Sequence, residues 1–143
     1  MTINPQEADQ FKDLIVAYTM RDTPALEDRL NDLMPGPLEA HRIIVALALL
    51  AGKPLLQRTG TGADPWVVQT PDVAPSPGSP EFLCARLVAG GANDDDQAIS
   101  KAAALAVKLG PDTAVDVVLH LLRMVDIQGR RGDYNNIDWT PKP

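Results

Sequence analysis

Apolar residues return along this chain in six blocks of helical spacing, separated by proline, glycine and acidic residues. In the first block Asn4 is placed to cap, Pro5 fits the first helical position and Glu7 stands three residues after the cap. Ala8, Phe11, Leu14, Ile15 and Tyr18 then share one face. Thr23-Pro24 starts a second helix with Leu26, Leu30, Leu33 and Met34 as its stripe, and Pro35-Gly36-Pro37 stops it. The third, Leu38 to Ala51, is polar only at Glu39, His41 and Arg42. A helix apolar on every side is surrounded by other helices, so this one is predicted at the centre, with Gly52 placed to end it.

The second half starts at Ser79-Pro80-Glu81 and its first helix runs to Gly90-Gly91. Asn93 is placed to cap the next, an alanine-rich helix whose opening Asp94-Asp95-Asp96 opposes the helix dipole. Gly110-Pro111 stops it, and a last helix covers Asp112 to Ile127. Leu14-Ile15-Val16-Ala17 is echoed by Arg86-Leu87-Val88-Ala89, and Gly36-Pro37 by Gly110-Pro111, each pair preceding a long apolar run. The expected fold is therefore all-α: one domain over 1–143, with about six helices as two pseudo-repeated three-helix units, 3–52 and 81–127. Between them, 53–80 is an insertion. Leu55–Thr59 and Trp66–Thr70 flank a glycine-rich loop, which reads as a short β-hairpin or an irregular loop. Residues 128–143 have no helical period and are expected to be an extended tail, either strapped to the body or held out for a partner.

Composition narrows the classes. The formal net charge is −6, with basic residues scattered apart from Arg130-Arg131. That argues against nucleic acid and against an anionic membrane surface, both of which are bound by clustered cations. A single cysteine, no signal-peptide pattern and no apolar run of spanning length give the cytoplasm as the expected compartment. High alanine, aspartate and proline, with more Arg than Lys, fits a bacterial or phage origin.

No catalytic, cofactor or metal constellation stands out. Asp116 and His120 are four apart on one helix, which reads as an ordinary surface pair rather than an oriented base, since no nucleophile is tied to it. The aspartate triplet lacks the central glycine and closing glutamate of a calcium loop. Gly60-Thr61-Gly62 is not followed by the residues of a phosphate loop, and Arg131-Gly132-Asp133 is only a tripeptide match. Cys84, beside Leu83 and Leu87, reads as a buried thiol.

The expected function is a non-enzymatic protein–protein interaction module, a small regulator or inhibitor of another protein, with no cofactor. Trp66, Arg130, Arg131, Tyr134 and Trp139 are the expected partner-binding residues, because Trp, Tyr and Arg dominate binding hot spots. Helices this apolar also leave room for a homo-oligomer. The alternative is a winged-helix-like DNA-binding regulator built from three helices and a hairpin over 5–70. Its reading helix would be the apolar third one, which lacks side chains for base edges.

Overall fold

The computed structural model describes residues 5–59, 78–135 and 137, and contains six α-helices and, among the described residues, no strand. In chain order they are α1 (Pro5–Thr19), α2 (Thr23–Leu33), α3 (Pro37–Thr59), α4 (Pro80–Ala92), α5 (Asp96–Lys108) and α6 (Pro111–Arg130). The predicted third helix is central: Ile44, Leu47, Ala48 and Ala51 are wholly buried. It packs most extensively on α4, then on α6, and also touches α5 and α2. Burying a Leu or Ile of this kind stabilises the fold by about 1.5–3 kcal/mol. The α1–α2 hairpin flanks this group, with Leu14 and Leu33 joining the common core.

Gly52 does not end α3. It lies at the crossing with α4, where the two backbones meet. A Cβ on Gly52 would stand 2.3 Å from the carbonyl carbon of Gly91, and one on Gly91 would stand 2.3 Å from the carbonyl oxygen of Ala48. Helices approach this closely only where side chains are absent. The helix then continues through Pro54 to Thr59, so Leu55–Thr59 is helical and is not the first strand of a hairpin. The partner strand Trp66–Thr70 lies outside the described residues.

The turns α1–α2 and α4–α5 share one construction. In the first, Arg21 has φ 56°, Asp22 N–H donates to Ala17 O (3.0 Å) and Arg21 N–H to Tyr18 O (3.0 Å). In the second, Asp94 has φ 53°, Asp95 N–H donates to Gly90 O (2.9 Å) and Asp94 N–H to Gly91 O (3.3 Å). Both are Schellman closures with a left-handed residue after the helix. In both, the next residue is an aspartate that caps the following helix, Asp22 accepting from Ala25 N–H (3.3 Å) and Asp95 from Ala98 N–H (3.1 Å). Thr23 starts α2 as expected, behind its Asp22 cap; the α5 cap expected at Asn93 is Asp95 instead, and Asn93 closes α4. Ser79 caps α4 as expected, accepting from Phe82 N–H at 3.3 Å. The Asn4 cap lies outside the described residues.

Candidate functional site

The helices α3 and α6 run side by side in the same direction, and each end of the pair carries a feature. At the starting end, Pro37 and Ala40 of α3 and Pro111, Ala114 and Val115 of α6 line a cleft of about 340 Å³, closed by Met34 and Val107. Both Gly-Pro pairs of the sequence echo meet here. Gly110 has φ 124°, a conformation that favours glycine, and it leads directly into α6. The cleft walls are mostly apolar, while Glu39 and Asp112 occupy the first turns of the two helices and oppose their dipoles.

At the finishing end a polar clamp joins α3 to the tail. Pro54 has no N–H, so Leu50 O loses its helical donor. The hydroxyl of Tyr134 takes that place at 3.2 Å and also lies 2.6 Å from Gln128 Oε1, sharing its single proton with the shorter contact favoured. Gln128 is 4% exposed, and its Nε2 donates to Ala51 O at 2.8 Å. The amide orientation is fixed by this pairing, since a flipped amide would set oxygen against a carbonyl. Tyr134 reaches α3 because α6 ends in a third Schellman turn. Gly132 has φ 76°, Gly132 N–H donates to Gly129 O (3.1 Å) and Asp133 N–H to Gln128 O (3.0 Å).

Of the expected partner-binding residues, three lie within this region. Arg130 belongs to the last turn of α6, not to an extended tail, and its Nε is 3.1 Å from Asp126 Oδ1. Arg131 closes α6 and is exposed. Tyr134 is half-buried on its own body. Trp66 and Trp139 lie outside the described residues. Gln128 was missed because the sequence pattern ends α6 at Ile127; its position one helical repeat beyond Leu121 and Val125 was the available signal.

His120 Nε2 is 3.6 Å from Glu81 Oε1 on α4, so its carboxylate neighbour comes from another helix and not from Asp116. Burial, with the Glu81 carboxylate adding to it, pushes the Cys84 thiol up to about 12, which leaves it protonated and unreactive at neutral pH. Among the described residues no three His, Cys, Asp or Glu side chains are grouped to hold a metal ion, and no single helix is long and apolar enough to cross a membrane. No protein-family model, curated protein or solved structure matches the chain.

Proposed function

We propose that the chain is a non-enzymatic protein-interaction module, a small regulator or inhibitor that docks through the end of the bundle where α3 and α6 finish. One observation carries this reading: the 2.8 Å bond from Gln128 to Ala51. It sets the root of the C-terminal tail against the last turns of α3. In sequence the Trp66 segment follows Thr59, the last residue of α3, and the Trp139 segment follows the turn that ends α6, so both segments are joined to the end of the body that carries exposed Arg131. Aromatic anchors with an arginine beside them are the usual composition of a hot spot.

The burial of α3 weighs against the DNA-binding alternative. Its central residues are enclosed by α4, α5 and α6, and the large side chains it does expose, Leu38 and Leu49, are apolar and cannot pair with base edges. The net charge of −6 weighs the same way.

The two-unit duplication belongs to this proposal as the origin of the scaffold. It is supported by the matched Schellman-plus-aspartate turns, by the paired Gly-Pro starts and by the parallel setting of α3 and α6. In that reading Leu14 corresponds to Leu87, one position from the match made on the letters alone, and both are wholly buried. The halves differ in packing, because α4 contacts α6 extensively whereas α1 leans on α6 more than on α3.

The test is capture of a partner from the native cell by the intact chain. Trp66→Ala with Trp139→Ala is expected to abolish capture while leaving the helical circular dichroism and melting temperature in place. Undiminished capture by that folded double variant would move the docking site elsewhere.

A further inference from the structure

We infer that the outward face of the α1–α2 hairpin is a second docking surface, built for a basic amphipathic helix of a partner protein. This rests on the proposed role of the chain as an interaction module, but not on the tryptophan site. Residues 5–34 hold seven carboxylates against three cations, so this fifth of the chain carries −4 of its −6. On α1, Asp9, Asp13, Val16 and Met20 follow one another at three- and four-residue steps, which places them in a stripe about 60° wide at 100° per residue. The helical bond from Met20 N–H to Val16 O (2.9 Å) keeps Met20 in that stripe.

The same stripe is the solvent side. Val16 is 57% and Met20 73% exposed, while Phe11, Leu14, Ile15 and Tyr18 turn toward the core. This exposed pair of large apolar side chains one turn apart, continuing a row of two aspartates, is no part of the core formed by the described residues. Along α2, Glu27, Asp28 and Asp32 are likewise exposed, and Arg29 is drawn to Asp32 at 3.6 Å.

Charge decides the occupant. Acidic rows beside two apolar anchors complement a helix with lysine or arginine on its flank and leucine-like residues on its seam. Nucleic acid and anionic lipid are repelled by the same rows.

The test uses the full chain and a designed probe, a labelled helical peptide of about 18 residues with leucine on one face and lysine on the other, read by fluorescence anisotropy in moderate salt. Saturable one-to-one binding is expected. Asp9→Lys with Asp13→Lys should weaken it about tenfold or more, and Val16→Ser with Met20→Ser comparably, whereas Asp94→Lys with Asp116→Lys, an equal change of net charge elsewhere, should weaken it only about twofold. All these positions are exposed, and circular dichroism checks that each variant is folded. Equal losses in the α1 and control charge variants would overturn the inference, since attraction would then be to the whole charge. So would binding of the matching glutamate–leucine peptide with similar affinity. A dimer of the free chain that Met20→Ser dissociates would also overturn it, assigning the face to self-association. Loss of capture in the tryptophan variants with peptide binding intact would separate this surface from the other.

Discussion

Replacing Gly52 by alanine is expected to lower the stability of the fold by about 3 kcal/mol, although alanine is the better helix former by about 1 kcal/mol. The new methyl would lie 2.3 Å from the carbonyl carbon of Gly91 and 2.5 Å from the amide nitrogen of Ala92. Those are backbone atoms, which have no rotamer to change, so α3 and α4 would have to separate. Separation would loosen contacts throughout the most extensive helix pair in the molecule. Gly129 provides the opposite case. It is also helical, it is exposed, and a methyl there meets nothing within 4 Å. Gly129→Ala is therefore expected to stabilise by about 0.4–1 kcal/mol. Thermal or urea unfolding of the two variants should give shifts of opposite sign. For a chain of this length the Gly52 variant should melt roughly 10 °C lower.

Removing Gln128 is expected to have a comparable effect through a different cause. Gln128→Ala would remove the Nε2 donor to Ala51 O and the shorter of the two contacts of the Tyr134 hydroxyl, which would keep Leu50 O, and would open a void beside α3, for a loss of about 2–4 kcal/mol. Tyr134→Phe, which deletes only the hydroxyl, should cost about 1–2 kcal/mol. Because the three groups act together, the double variant should cost less than the sum of the single ones. The damage should also be local. Hydrogen exchange at Leu55, Leu56 and Gln57, beyond the proline, is expected to speed up well before exchange at Ile44 or Leu47.

The clamp also has a signature in pH. Burial, reinforced by Asp133, holds the Tyr134 hydroxyl well above the ordinary tyrosine value of 10.0. The folded state keeps this proton longer than the unfolded state does. Its contribution is thus whole below about pH 10 and is lost as pH rises beyond that until the folded hydroxyl ionises. Cys84 adds a loss of the same sign between its ordinary 9.0 and about 12. Alkaline unfolding of the Tyr134→Phe variant should retain only the cysteine share of this decline.

The sequence made the helices legible because their apolar spacing and their stops are local signals. Ser79, Gly110-Pro111 and Pro35-Gly36-Pro37 did what their chemistry predicts. Gly52 misled because a glycine at a helix end and a glycine at a helix crossing look alike in the chain; only Gly91, far along, separates the two. Pro54, inside α3, is a second departure from a local rule. A proline normally breaks a helix, but here the tail supplies a donor to the carbonyl it leaves bare. The capping Asp95 was obscured by neighbouring Asn93, an equally good cap by residue type. Of the candidate sites, the aromatic and arginine content of the tail was visible in the letters. The shared end of α3 and α6 was not, because it depends on one glutamine finding a carbonyl across the fold. The acidic stripe on α1 was present in the sequence, but its exposure follows only from knowing which face of α1 turns inward.

The account depends on α3 being one continuous rod, pressed backbone to backbone on α4 at Gly52. Solution NMR of the intact chain tests this directly through cross-relaxation between the α-protons of Gly52 and Gly91. A strong cross-peak is predicted, because Gly52 Cα lies 3.2 Å from the place a Gly91 side chain would fill. A spectrum with all six helices formed and no such cross-peak would contradict it.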